Sequence, residues 1–156
     1  MPAFITFGRV LFASLFIYSG LSKLLNVAEA VKDMAGRVVV PVMLDPYISP
    51  FLDSYAAQLK TITSMSPVES LVIAVGIFEI ICGLMIAINF GARFFAILLI
   101  FFVIAATYYF HDFWNPDSPP KTVFDAFKNL AIIGALFMIA GYGRAPRTSE
   151  PAYGDV

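Results

Sequence analysis

The sequence has few of the residues from which metal and redox centres are built. Its 156 residues include one cysteine, Cys82, and one histidine, His111. A single thiol excludes an intrachain disulfide and the paired-cysteine chemistry of membrane thiol oxidases. Cys82 lies in an apolar segment, so we expect it to be inert packing. A single histidine excludes a bis-histidine haem within the chain, and the spacing around His111 and Asp112 supplies no third metal ligand. We therefore expect no metal site and no intrinsic cofactor.

Charge is also scarce. Only 13% of the residues are charged, the net charge is −1, and the mean hydropathy is +0.83. No basic cluster suggests a nucleic-acid partner. Instead, four apolar segments are long enough to cross a bilayer, which takes about 20 residues per helix. They are residues 4–24, 70–88, 93–110 and 123–141. The sequence thus predicts an all-α polytopic membrane protein, a four-transmembrane-helix bundle in contact with lipid.

We expect one transmembrane domain over residues 1–143 and a polar, flexible tail over 144–156. Four spans place both termini on one side of the membrane, here called side A. Side B then holds the long first loop, residues 25–69, and the third loop, residues 111–122. Side B carries six of the Lys and Arg residues and side A four, but acidic residues largely match those of side B, so the count is a weak guide to the orientation. We place side A in the cytoplasm, partly on the resemblance described below.

The first loop is too long for a plain turn between adjacent spans. Ser49-Pro50 is typical of a helix start, with proline at the first helical position. Apolar residues then recur at helical spacing: Phe51, Tyr55, Leu59 and Ile62. This pattern predicts an amphipathic helix in the membrane interface, either as a strap or as a lid over a site on side B. A shorter helical turn is expected over residues 28–34, ended by Gly36.

Glu79 lies in the middle of the second span, where a carboxylate costs roughly 2.5–3.5 kcal/mol. It therefore needs a counter-charge, a proton or a cavity. By depth, Lys128 is the best partner, about 9 Å inside the fourth span from side B, and Arg9 follows, about 7 Å inside the first span from side A. Lys23 lies near the side-B boundary and can extend its stem outward. A protonated Glu79 without a partner is the alternative.

Helical geometry places the polar residues of the first two spans on defined faces. One face of the first span carries Arg9, Phe16, Gly20 and Lys23, and one face of the second carries Gly76, Glu79 and Gly83. Small residues allow close helix approach and charges avoid lipid, so both faces should look into the bundle. They form either a charge network or simple packing between two helices.

His111-Asp112-Phe113-Trp114 follows the third span on side B. Adjacent His and Asp side chains can relay protons or bind a carbonyl-bearing ligand. Trp114 could instead belong to the aromatic belt of a membrane interface. The candidate residues for a quinone or similar ligand are His111, Asp112, Trp114, Lys23, Lys128 and Tyr18.

Five short stretches resemble the DoxX family of small bacterial membrane proteins. They are FIYSGLSKL at 16–24 with Arg9 before it, FEIICGL at 78–84, GAR at 91–93, HDFW at 111–114 and FKNLA at 127–131. The resemblance implies a four-helix bundle in the bacterial cytoplasmic membrane. The first loop is longer than this family leads us to expect.

The family takes its name from a subunit associated with a thiosulfate:quinone oxidoreductase, and other members are linked to oxidative-stress complexes. The resemblance therefore implies an accessory subunit that packs against other subunits of a larger membrane redox complex. The alternative is a quinone-interacting oxidoreductase subunit with a polar site at the non-cytoplasmic face. The resemblance gives no basis for naming a catalytic residue, and we expect no turnover by the chain alone.

Overall fold

The structure is a computed structural model that describes residues 2–34, 45–62, 64–110 and 119–142. Its elements are the helices α1 (Pro2–Leu25), α2 (Val27–Met34), α3 (Asp45–Ile62), α4 (Pro67–Ala87), α5 (Ala92–Phe110) and α6 (Pro120–Tyr142). Four of them, α1, α4, α5 and α6, are long and apolar enough to cross a membrane. The predicted all-α fold with four spans is confirmed, and each end lies within three residues of its predicted place.

The start of α4 is set by a capping box. The Ser66 hydroxyl accepts from the Glu69 backbone N–H at 3.2 Å, and the Glu69 carboxylate accepts from the Ser66 N–H at 2.7 Å. Pro67 occupies the first helical position, which its fixed φ angle favours. The helix begins three residues before the predicted apolar segment. The prediction missed this first turn because it followed apolar residues, and the capping residues Ser66 and Glu69 are polar.

The described part of the first loop contains two helices. The helical turn predicted at 28–34 is present as α2, whose last residue, Met34, is buried. The prediction that the next helix begins at Pro50 was wrong, since α3 begins at Asp45 and contains Pro50. Asp45-Pro46 carries the same kind of start signal as Ser49-Pro50, one turn earlier. The apolar face of α3 is not covered by the spans, and its place in the membrane interface stays a prediction.

Helices α1 and α4 meet at backbone contact and run antiparallel. A Cβ at Gly20 would overlap the carbonyl oxygen of Gly76, and a Cβ at Gly76 would lie 3.0 Å from the carbonyl oxygen of Gly20. Toward the other end, a Cβ at Gly83 would lie 3.1 Å from the carbonyl oxygen of Ala13. Glycine at these crossings lets the two helix axes approach closely.

The other spans complete the bundle in the order α1, α4, α5, α6. The rings of Phe78 and Phe102 pack at 5.5 Å between α4 and α5. Asn129 Nδ2 of α6 donates to Thr107 Oγ1 of α5 at 3.0 Å. All four spans contribute to one apolar core, in which the free thiol of Cys82 is 1% exposed. The core closes the middle of the bundle, and cavities lie toward its ends.

Candidate functional site

An ion pair joins α1 to α4 inside the bundle. Lys23 Nζ lies 2.7 Å from Glu79 Oε2, and it also donates to Ser19 Oγ at 2.7 Å. The Glu79 side chain is 4% exposed and that of Lys23 is 24% exposed. Among the residues that the structure describes, Glu79 is the only buried charged one. The acid that the sequence places deep in a span thus has a counter-charge on the neighbouring helix.

The geometry of the two helices explains this pairing. Each Cα–Cβ bond leans toward the start of its own helix. Lys23 therefore extends from the side-B end of α1 into the bundle, while Glu79 extends from the middle of α4 toward side B. Gly20, one turn before Lys23, removes the side chain that would otherwise hold the helices apart. The antiparallel crossing brings ammonium and carboxylate together.

The prediction that Lys128 is the best partner for Glu79 was wrong. Lys128 Nζ lies 2.8 Å from Asp125 Oδ1 on its own helix, and its side chain is 58% exposed. The Cα–Cβ bond of Lys128 leans toward the start of α6 and so away from the bilayer centre. The prediction compared only how deep each residue lies along its helix axis. Depth gives neither the direction of the side chain nor the rotation of the helix about its axis.

Arg9 also lies apart from this site. It precedes Lys23 by fourteen residues, which separates the two by about 21 Å along α1. It lines a different cavity, at the side-A end of the bundle. The predicted network of four charges is thus one ion pair, Lys23–Glu79, with Arg9 and Lys128 elsewhere.

The ion pair lies in the wall of a cavity of about 550 Å³, here called the inner pocket. All four spans and α2 line it, toward the side-B end of the bundle. Its apolar wall includes Phe16, Met34, Val75, Phe102, Ala106 and Ile132. Its polar side chains are Ser19, Lys23, Glu79, Tyr109 and Asn129. This combination of a mainly apolar wall and a few polar groups is typical of small-molecule sites.

A second cavity of about 640 Å³, here called the outer cleft, adjoins the inner pocket. The two share Ser19, Lys23 and Asn129 in their walls. The outer cleft is more polar, and further residues in its wall are Tyr18, Ser22, Asn26, Glu29 and Asp33. Tyr18, one of the predicted ligand residues, is 75% exposed on α1. Lys23 thus lies between the more polar outer cleft and the mainly apolar inner pocket.

Ser19 and Asn129 belong to the site and were not among the predicted site residues. Both carry a signal in the sequence. Ser19 precedes Lys23 by one helical turn, which places the two side chains on one face. Asn129 precedes the fully buried Leu136 by two turns, so it shares the inward face of α6.

Three predicted ligand residues, His111, Asp112 and Trp114, lie outside the described residues. Phe110, the last residue of α5, lines both the inner pocket and the outer cleft. The roles of His111, Asp112 and Trp114 at a ligand site therefore stay predictions.

Comparison with known proteins identifies a family. The model of the DoxX family matches residues 4–112, which cover α1 from Phe4 onward, α2 to α5, and both members of the ion pair. No curated protein and no solved structure matches the chain. The match covers more than half of the chain and agrees with the resemblance drawn from the sequence. This multi-pass membrane protein belongs to the DoxX family.

Proposed function

We propose that the chain is a membrane subunit of a larger redox complex, and that its inner pocket binds a lipid-soluble quinone. The observation that carries the proposal is the Lys23–Glu79 ion pair in the wall of a mainly apolar cavity. A quinone combines a ring with two carbonyl acceptors and a long apolar tail. Its ring would meet the polar groups, and its tail would lie along the apolar wall.

The hydrogen bonds of Lys23 favour a carbonyl ligand. An ammonium group has three donors, and Lys23 Nζ uses two of them on Ser19 and Glu79. The third is available for a ligand carbonyl in the inner pocket. The Asn129 amide, also in the wall, has a second donor beside the one bonded to Thr107.

Reduction of a quinone to a quinol consumes two electrons and two protons. Glu79 and Lys23 can pass protons to the ring oxygens, and the outer cleft can resupply them from side B. We assign the electrons to a partner protein, because one histidine and one cysteine cannot supply a bis-histidine haem or an iron–sulfur cluster with four cysteine ligands. The redox function therefore requires a complex and not the chain alone.

The proposal includes a location. We place the chain in the bacterial cytoplasmic membrane with its termini in the cytoplasm, so that the inner pocket and outer cleft open toward the non-cytoplasmic face. This orientation supplies protons to the site from outside the cell.

A binding experiment tests the pocket. Ala106 lines the inner pocket, and Ala131 lies exposed on α6 outside the residues that line it. We expect Ala106→Leu to weaken binding of a short-tailed benzoquinone to the purified protein about tenfold, because overpacking a site costs about 1–3 kcal/mol. Ala131→Leu is the matched control and should leave the affinity unchanged. Equilibrium dialysis measures both, and equal affinities in the two variants would contradict the assignment of the pocket.

The accessory role is the second candidate function. It is favoured by phenylalanines that the bundle leaves exposed along α5 and α6, on faces available to lipid or to another subunit. They are Phe94, Phe101, Phe124, Phe127 and Phe137.

Turnover and assembly separate the two functions in the native complex. We expect Lys23→Gln and His111→Ala to lower quinone-dependent turnover per assembled complex. Lys128→Met is the control and should leave turnover unchanged, since Lys128 pairs with Asp125 outside the site. Reduced assembly with normal turnover in the complexes that remain would favour the accessory role.

A further inference from the structure

A groove lies between α1 and α6 at the side-A end of the bundle, opposite the inner pocket. Its volume is about 400 Å³. Its wall is formed by Ile5, Arg9 and Phe12 of α1 and by Ala135, Met138 and Ile139 of α6. We propose that this side-A groove binds an anionic phospholipid, with the phosphate at Arg9 and an acyl chain along the apolar wall.

The charge of Arg9 points to an anionic occupant. The other side chains of the wall are apolar, and Arg9 has no ion pair or hydrogen bond with any residue that the structure describes. An uncompensated cation within a span is costly. A guanidinium presents its donors in a fork that matches two phosphate oxygens. A lipid phosphate would therefore supply the counter-charge that the described part of the chain does not.

The position of Arg9 fits a lipid better than a soluble anion. It lies about 10 Å along α1 from Pro2, and its side chain leans toward the start of the helix. The guanidinium thus extends to the headgroup region while its stem stays among apolar groups. Phe12 and Ala135 lie deeper along the same groove, where the acyl chain would run. The surface of the cytoplasmic leaflet, where we place this end, is negatively charged and attracts basic residues.

Gly8 also lines the groove, next to Arg9 in the sequence, and the space beside it is open. A Cβ at Gly8 would meet no atom within 4 Å, unlike a Cβ at the glycines of the α1–α4 crossing. A leucine at this position can therefore enter the groove without displacing the backbone. It offers a way to block the acyl chain while keeping the charge of Arg9.

Native mass spectrometry of the full chain tests the proposal, with phosphatidylglycerol and phosphatidylcholine of identical acyl chains as probes. We expect the wild type to prefer phosphatidylglycerol, and Arg9→Gln to reduce that preference roughly fivefold. Arg93→Gln is the matched control, because Arg93 lies at the same end, exposed, with its Nε bonded to the Ala140 carbonyl at 2.8 Å. Arg93→Gln should keep the preference.

Gly8→Leu tests the acyl-chain contacts separately from the charge of Arg9. It should weaken the binding of both lipids. The proposal is overturned if Arg9→Gln keeps the preference for phosphatidylglycerol, or if Arg93→Gln lowers that preference by the same factor. Either result would assign the preference to general surface charge. Displacement of phosphatidylglycerol by equimolar inorganic phosphate would instead indicate a site for a soluble anion. If Gly8→Leu converts a dimer to a monomer with lipid binding unchanged, the groove belongs to a second copy of the chain.

Discussion

The two members of the buried ion pair should differ in how much their loss destabilises the protein. In Lys23→Met, the Glu79 carboxylate remains at 4% exposure without its counter-charge. In Glu79→Gln, the Lys23 ammonium is 24% exposed, keeps its bond to Ser19 and can turn toward the outer cleft. Because an uncompensated charge costs more the less water reaches it, the lysine variant should be the less stable.

The magnitudes follow from the same contacts. Removing one partner of a buried pair costs about 3–5 kcal/mol, and we expect Lys23→Met in that range. Glu79→Gln should cost about 1.5–3 kcal/mol, the value of one charge-assisted hydrogen bond. The double variant contains neither charge, so it should be more stable than Lys23→Met alone.

Cys82 provides the assay. It is the single cysteine and is 1% exposed in the core, so a fluorescent maleimide reports its exposure on unfolding. Titration of dodecyl maltoside micelles with sodium dodecyl sulfate then gives a free energy of unfolding for each variant. Lys128→Met is the control and should stay within about 0.5 kcal/mol of the wild type.

Two results would refute this reasoning. If Lys23→Met and Glu79→Gln lose equal free energy, then burial does not set the cost of the remaining charge. If the double variant loses the sum of the two single losses, then the two side chains are not coupled at all.

Three further predictions use the same preparation. Gly20→Ala should lower the unfolding free energy by about 1–3 kcal/mol, because the added Cβ would overlap the backbone of the opposing helix. Gly134→Ala is the control: an added Cβ there would meet no atom within 4 Å, so the variant should be neutral or gain up to about 1 kcal/mol. Equal effects of the two substitutions would contradict the close crossing of α1 and α4. Ser66→Ala should cost about 1 kcal/mol through loss of the cap, and an unchanged unfolding midpoint would argue against the capping box. In the folded protein, Cys82 should resist a membrane-permeant maleimide over hours, and rapid labelling would show that the core opens.

The sequence predicted the membrane fold and the central acid of the site. The spans are continuous apolar segments, so their ends followed from length and composition. Glu79 was conspicuous because few residues could neutralise it, and Gly76 and Gly83 indicated which face of α4 meets another helix.

The choice of partner for Glu79 needed more than depth. Lys23 and Lys128 both lie toward side B, yet their side chains lean in opposite directions across the membrane. Gly20 next to Lys23 was the clue that α1 approaches α4 at that level. Lys128 has no glycine one turn away, and a carboxylate on its own helix, Asp125, holds it outward.

The cavities could not be predicted from the sequence. The inner pocket takes side chains from α1, α2, α4, α5 and α6, and its volume depends on how these helices are spaced. Asn129 contributes to it only because α6 is rotated so that Leu136 faces the core. Likewise, the start of α3 at Asp45 depended on a choice between two similar helix-start signals.

The pairing of Lys23 with Glu79 also bears on how the chain enters the bilayer. The two residues are 56 positions apart, so the lysine emerges from the ribosome well before the acid that will neutralise it. During that interval Lys23 has no counter-charge from Glu79, and its long stem can keep the ammonium at the side-B surface. The separation in sequence comes from the long connection between the two spans, residues 26–66. We expect the ammonium to move inward once α4 packs against α1, so that the two opposite charges are buried together as a neutral pair.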